Sequence, residues 1–107
     1  MNKQPADKVL VVDDDFRTRF LSRAALEPAG FEVTDVASGK ETLELLDSYT
    51  PDLILLDVLM PGMDGFQTCR AIRNHPTGAD IPVLMMTGLD DMETITDAYE
   101  ASATDLL

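Results

Sequence analysis

Short runs of apolar residues recur along the chain and are separated by stretches with helical spacing. Three runs are continuous, at residues 9–12, 53–56 and 83–86, and a fourth segment, residues 31–36, alternates apolar with polar side chains. Continuous runs are typical of parallel strands that are buried on both faces, and alternation indicates a strand with one wetter face. We therefore predict four strands, with the alternating one at an edge of the sheet.

The intervening stretches predict four helices. The first ends near Pro28 and Gly30, and the second begins at Ser38, whose hydroxyl can cap the helix while Glu41 reaches back. The apolar positions at helical spacing are Phe16, Phe20, Leu21, Ala24 and Ala25 in the first helix, Leu43, Leu45 and Leu46 in the second, Phe66, Cys69 and Ile72 in the third, and Met92, Ile95, Ala98 and Tyr99 in a fourth that starts near Asp90. Alternating strands and helices of this length require right-handed crossovers, so the predicted fold class is α/β, a doubly wound parallel sheet.

Composition narrows the classes of function. A chain of 107 residues, 45% apolar and 26% charged, is expected to form one globular domain. With 20 acidic and 8 basic residues its formal net charge is -12, which argues against direct binding of nucleic acid through phosphates. It has neither a membrane-length apolar stretch nor a signal peptide at its start, and Cys69 has no companion for a disulfide or a metal site. We expect a cytoplasmic protein without a membrane partner.

Acidic residues follow two of the predicted strands directly. Asp13, Asp14 and Asp15 follow the first strand, Asp57 ends the third, and Thr87 ends the fourth. Ligands of doubly wound sheets bind beyond the carboxyl ends of the strands. Two like charges about 4 Å apart repel by roughly 4 kcal/mol at an effective dielectric near 20, so this cluster requires a positive partner. Asp15 is either a fourth acidic ligand or the cap of the first helix; we favour the cap.

The loop after Asp57 contains several turn-forming residues. Pro61 fixes one backbone angle, and Gly62 and Gly65 are expected to permit positive φ angles. The loop can therefore be shaped around a group that Asp57 holds.

From residue 9 to residue 107 the chain resembles the receiver domain of two-component response regulators, with residues 1–8 as an N-terminal tail. The resemblance implies a flavodoxin-like sheet with strand order 2-1-3-4-5. Four segments carry it, in order and spacing: Val11-Val12-Asp13-Asp14, Leu55-Leu56-Asp57, Met60-Pro61-Gly62-Met63-Asp64-Gly65 and Met86-Thr87-Gly88.

The resemblance implies a phosphoacceptor signalling module rather than an enzyme. Asp57 would accept a phosphoryl group from a histidine kinase or a phosphotransfer protein, and the domain would promote its own phosphorylation and slow dephosphorylation. Mg2+, with Mn2+ as the alternative ion, would be held by Asp13, Asp14, Asp57 and the backbone carbonyl of Leu59. Independently of the resemblance, a carboxylate is a reasonable nucleophile only when a cation neutralises the phosphoryl oxygens that it approaches.

Further roles follow from the same resemblance. Thr87 would supply a switch hydroxyl, and the backbone amides of Leu59 and Gly88 would contact the phosphoryl group. The side chains of Leu59 and Leu89 would border the water that attacks the acyl phosphate. Neither leucine can orient that water, so hydrolysis is expected to be slow.

The chain departs from the family at its end. Leu106 occupies an aromatic position of the family, and a lysine that pairs with the acyl phosphate would fall two residues past Leu107. We therefore expect a domain truncated before its fifth strand and fifth helix, poorly phosphorylated as it stands. An uncovered side would leave the first helix bare and favour marginal stability, self-association or a homodimer.

Two other functions are weighed against this one. A receiver-like interaction domain that is not phosphorylated would keep the fold without the chemistry. A haloacid-dehalogenase-type phosphatase would use the pattern Asp-x-Asp-x-Thr/Val at Asp13 and Asp15, but Arg17 occupies the third position.

Three arginines of the first helix and the single histidine are the remaining basic residues of interest. Arg17, Arg19 and Arg23 are interpreted as solvated helix charges, with docking of a kinase as the alternative. His75 is interpreted as part of an exposed loop.

Overall fold

The parallel sheet predicted from the apolar runs is present. The computed structural model describes residues 7–86 and the backbone of residues 105–106. The elements are β1 (Lys8–Val12), α1 (Phe16–Leu26), β2 (Glu32–Val36), α2 (Gly39–Leu46), β3 (Leu53–Asp57), α3 (Gly65–Asn74), β4 (Val83–Met86) and β5 (Asp105–Leu106). All strand pairs are parallel, in the order β2-β1-β3-β4-β5. The doubly wound class and the alternating edge strand are confirmed; the helix predicted near Asp90 lies outside the described residues.

The structure corrects one expectation about the end of the sheet. Asp105 and Leu106 pair in parallel with Leu84 and Met85, so a fifth strand of two residues is present beside β4. The family resemblance places a fifth strand near Leu106, but the apolar pattern does not mark it, because residues 101–105 (Ala-Ser-Ala-Thr-Asp) form no apolar run. The fifth strand is identified by its pairing with β4.

The core is divided between the two faces of the sheet. Alternate residues of the central strands point toward α2 and α3, where Leu46, Cys69 and Ile72 are buried as predicted. The opposite face packs a smaller cluster against α1, which itself contains no buried residue. Phe20 and Leu21 of α1 are 61% and 65% exposed. The first helix therefore carries the bare apolar surface expected from the sequence.

Capping side chains begin the two helices that cover the larger core. Ser38 Oγ accepts the Glu41 N–H at 3.1 Å, and the Glu41 carboxylate reaches back to the Ala37 N–H at 2.7 Å, one residue before the cap. Asp64 and Gln67 form a reciprocal capping box at the start of α3, with distances of 2.8 and 3.0 Å. These caps satisfy amides that a helix start leaves without partners.

His75 connects the ends of α2 and α3, so its interpretation as simple exposed loop is wrong. The ring Nε2 lies 2.9 Å from Asp47 Oδ1, and Nδ1 accepts the Thr77 N–H at 3.0 Å. The side chain is only 16% exposed. Spacing along the chain could not reveal a partner 28 residues away.

None of the helices in the described part of the chain has the length and apolar character needed to span a membrane.

Candidate functional site

The register of the sheet places two acidic residues side by side. Val12 of β1 pairs with Leu56 of β3, so Asp13 and Asp57 come next on adjacent strands. The Asp13 N–H donates to Val36 O at 3.2 Å, which continues the β1–β2 pairing beyond the end of β1. Parallel strands end at the same edge of a sheet, and this edge therefore collects the carboxylates, as the sequence predicts.

Three carboxylates form the site. One oxygen from each of Asp13, Asp14 and Asp57 lies within 4.8 Å of the others, and we call this group the carboxylate cluster. Asp13 is buried, Asp57 is half-buried and Asp14 is exposed. They open into a cleft of about 620 Å³ that is lined by Asp13, Asp14, Asp15, Thr18, Asp57, Leu59 and Met86. The predicted Thr87, Gly88 and Leu89 lie outside the described residues.

Crowding of negative charge makes this cluster unfavourable on its own. Burial and the charges of Asp13 and Asp14 raise the pKa of Asp57 to about 6, although the Leu59 N–H, 3.3 Å from Asp57 Oδ1, partly offsets the rise. Burial also raises the pKa of Asp13, with Asp14 and Asp15 adding to the effect. Buried carboxylates with raised pKa values gain most from a bound cation. The oxygen donor set fits a hard divalent ion such as Mg2+.

The loop above the cluster uses its glycines in two ways. Gly62 has a φ of 77°, as expected, but Gly65 is not among the positive-φ glycines, so that expectation is wrong. Glycine is required at position 65 because a larger residue would not fit. The Gly65 N–H donates to Val58 O at 3.0 Å. A Cβ at this position would lie 2.7 Å from the Val58 Cα and closer still to the Asp57 carbonyl oxygen. The end of β3 and the start of α3 are therefore in direct backbone contact.

Asp15 is the cap of α1, which confirms the favoured interpretation. Its side chain accepts the Arg17 N–H at 2.9 Å and lies 3.4 Å from the Thr18 hydroxyl. It lies at the edge of the cleft but outside the carboxylate cluster. A dehalogenase-type pattern requires Asp15 as a catalytic carboxylate, so its engagement in the cap disfavours that pattern.

A contact to the cluster from α1 was not foreseen from the sequence. Arg19 Nη1 donates to the Asp13 carbonyl oxygen at 2.7 Å, and Arg19 Nε donates to Asp35 Oδ1 at 3.2 Å. Arg23 also pairs with Asp35, so the interpretation of both arginines as solvated helix charges is wrong. Two features of the sequence could have indicated this pairing. Arg19 and Arg23 are four residues apart on one helix, and Asp35 lies on the same face of β2 as the buried Val33.

Comparison with known proteins agrees with this geometry. The chain matches the response regulator receiver domain family over residues 9–107. It is 39% identical over 100 residues to the response regulator MprA of Mycolicibacterium vanbaalenii, and 42% identical over 100 residues to the DNA-binding transcriptional regulator NtrC of Escherichia coli. These alignments cover 94% and 92% of this chain but 42% and 21% of the relatives. The chain thus spans less than half the length of either.

Solved structures give the same result. The chemotaxis protein CheY4 of Vibrio cholerae superposes with a TM-score of 0.91 at 34% identity, over 95% of this chain and 85% of that one. The receiver domain of a Pseudomonas aeruginosa sensor histidine kinase, which has a magnesium ion coordinated in its active site cleft, gives a TM-score of 0.87 at 26% identity, over 95% and 84% of the two chains. On its sequence, its sheet order and these similarities, the chain belongs to the response regulator receiver domain family.

Proposed function

We propose that this domain is a phosphoacceptor switch in which Asp57 receives a phosphoryl group from a histidine kinase or a phosphotransfer protein. The carboxylate cluster is the observation that carries the proposal. It places Asp57 at the end of a central strand, next to two further carboxylates and open to a cleft. The chain spans only part of its relatives, so we propose that phosphorylation alters the output of a larger protein.

The residues of the cluster divide into two roles. Asp13, Asp14, Asp57 and the backbone carbonyl of Leu59 would hold Mg2+ or Mn2+. When bound, such an ion would neutralise charge on the phosphoryl oxygens that a carboxylate nucleophile approaches. Family membership and the magnesium ion in one solved relative support this assignment.

The chain's own groups would carry out the transfer. An Asp57 carboxylate oxygen attacks phosphorus, the bond from phosphorus to the donor's leaving atom breaks, and an acyl phosphate forms. The Leu59 N–H, which donates to Asp57 at 3.3 Å, would instead contact a phosphoryl oxygen. The Gly88 N–H is proposed for the same task, and the Thr87 hydroxyl is proposed as the group that responds to phosphorylation.

The test is intact mass spectrometry after incubation with acetyl phosphate and Mg2+. Two chains are compared: the 107-residue chain, and the same chain extended so that a lysine stands at the third position after Leu106. We expect one phosphoryl group on the extended chain and slower modification of the shorter one, because the lysine would pair with the acyl phosphate.

Two substitutions provide the controls. Asp57→Asn should abolish the mass increase, whereas Asp80→Asn, which changes an exposed carboxylate away from the cleft, should leave it unchanged. An extended chain that gains no phosphoryl group would favour the non-phosphorylated interaction domain instead.

A further inference from the structure

Arg19 joins three parts of the fold through one side chain. It belongs to α1, its Nε donates to Asp35 Oδ1 on β2 at 3.2 Å, and its Nη1 donates to the Asp13 carbonyl oxygen at 2.7 Å. The side chain is only 16% exposed, and so is held within the surface of the protein. A planar guanidinium can satisfy both acceptors at once, which a lysine ammonium on a flexible stem does less well.

Asp13 is held on several sides by such contacts. Its N–H donates to Val36 O at 3.2 Å, its Oδ1 accepts the Asp15 N–H at 2.9 Å, and its carbonyl accepts from Arg19. The side chain direction of Asp13 depends on this backbone, because the carboxylate is only two bonds from Cα. Among the contacts between described residues, the Arg19 contact links the Asp13 backbone to a residue outside the β1–α1 turn and the neighbouring strand.

We propose that Arg19 is a positioning residue for the carboxylate cluster: anchored on Asp35, it fixes the Asp13 backbone and thereby sets the Asp13 carboxylate for divalent cation binding. The proposal rests on the proposed function, because it assumes that the cluster binds such an ion. Residues that orient metal ligands without touching the metal commonly affect affinity by about 10-fold to 100-fold.

Arg23 provides a matched control within the same helix. It pairs with the same Asp35 and donates to Val33 O at 2.8 Å, so it also ties α1 to β2. Its described contacts go to Asp35, Val33 and Glu27 and do not include Asp13. A purely structural role of the α1–β2 connection predicts equal effects from both arginines, whereas positioning predicts an effect from Arg19 alone.

The experiment measures Mn2+ affinity by electron paramagnetic resonance of the free ion, with Arg19→Lys and Arg23→Lys compared in the full chain. Both variants keep the net charge, so a change in affinity reports geometry. We expect the Kd to rise about tenfold for Arg19→Lys and to stay within about twofold of wild type for Arg23→Lys. Urea unfolding of the same samples should show similar losses of stability for both.

The outcomes separate the two proposals. Wild-type protein that binds no Mn2+ would contradict the proposed function, and the positioning role with it. Wild-type binding with an unchanged Kd for Arg19→Lys, or with equal weakening in Arg23→Lys, would overturn the positioning role alone.

A second pair of variants covers the case in which Arg19→Lys does not fold. Asp35→Ala removes the anchor and should weaken Mn2+ binding more than Glu27→Ala, which removes an equal charge from the Arg23 side. Equal affinities for these two variants would overturn the proposal.

Discussion

Gly65 and Asp57 lie in backbone contact so close that a side chain on Gly65 would collide with the Asp57 carbonyl oxygen. The first turn of α3 is thereby held against the end of β3, which carries the phosphoacceptor candidate. Gly39, at the first position of α2, offers a useful contrast. The three atoms nearest to a Cβ there would be side-chain atoms of Thr68 and Met63.

We predict that Gly65→Ala lowers the free energy of unfolding by about 1–3 kcal/mol, because α3 must move away from β3. The same movement should weaken Mn2+ binding by the carboxylate cluster. Gly39→Ala should also cost stability, but it should weaken Mn2+ binding less than Gly65→Ala does, because it presses on the Thr68 and Met63 side chains and not on the Asp57 backbone. Urea unfolding and Mn2+ titration check both effects, and equal affinities for the two variants would argue against tight coupling between α3 and Asp57.

The raised pKa of Asp57 predicts a pH-dependent stability in the absence of metal. Between the ordinary value of 3.8 and the folded value of about 6, the folded protein holds a proton that the unfolded chain has released. The stability that protonated Asp57 contributes is therefore fully present below pH 3.8 and is lost as pH rises through about 6.

Asp57→Asn should accordingly raise the free energy of unfolding above about pH 7, by about 1 kcal/mol given the partial exposure of the group. This gain in the free energy of unfolding should shrink as pH falls from about 6 toward 3.8. Urea unfolding across this pH range, in the presence of a chelator, measures it. Asp80→Asn is the control, and a gain of stability that does not vary with pH would contradict the electrostatic explanation.

Leu59 should set the lifetime of the phosphorylated state. Its side chain is 64% exposed at the edge of the cleft and has no polar group to orient an attacking water. In the extended chain, we predict that Leu59→Asn shortens the lifetime of phosphorylated Asp57 about tenfold, because a positioned polar group assists proton transfer. Loss of the phosphoryl group over time, followed by intact mass, gives the rate. Met63→Gln, in the same loop, should leave the lifetime unchanged; an unaltered lifetime in Leu59→Asn would refute the prediction.

The bare face of α1 should promote self-association. Phe20 and Leu21 are both more than half exposed, and an apolar surface of this kind favours contact with another molecule. We predict that sedimentation velocity shows concentration-dependent association, which the double substitution Phe20→Gln and Leu21→Gln reduces. Ala25→Gln, on the same helix, should have a smaller effect because it removes less apolar area. Wild-type protein that stays monomeric at high concentration would contradict this prediction.

The strands and the carboxylate cluster could be predicted from the sequence because both depend on local pattern. Continuous apolar runs mark buried parallel strands, and residues that end such strands must share one edge of the sheet. This reasoning places Asp13 and Asp57 at one edge of the sheet, and the strand order implied by the family resemblance makes their strands neighbours. The assignment of Asp15 as a cap followed in the same way from the chemistry of helix starts.

Features that depend on contact between distant segments could not be predicted in this way. The role of Gly65 depends on how closely α3 approaches β3, which the sequence does not reveal. From the sequence alone, a glycine in a loop suggests a positive φ angle instead. The Arg19 contact to Asp13 requires the packing angle of α1 on the sheet. The pairing of Asp105 with Leu84 requires β4 as a template, because the residues themselves carry no strand pattern.

The central claim is that Asp57 carries the phosphoryl group, and the most direct test is to identify the modified residue. The extended chain is incubated with acetyl phosphate and Mg2+, reduced with borohydride, which converts an acyl phosphate to an alcohol, and mapped by peptide mass spectrometry. We predict that the modification is found at Asp57, that it requires Mg2+, and that it is lost in Asp14→Asn. Modification at another residue, or at Asp57 to the same extent with Mg2+ chelated, would contradict the account.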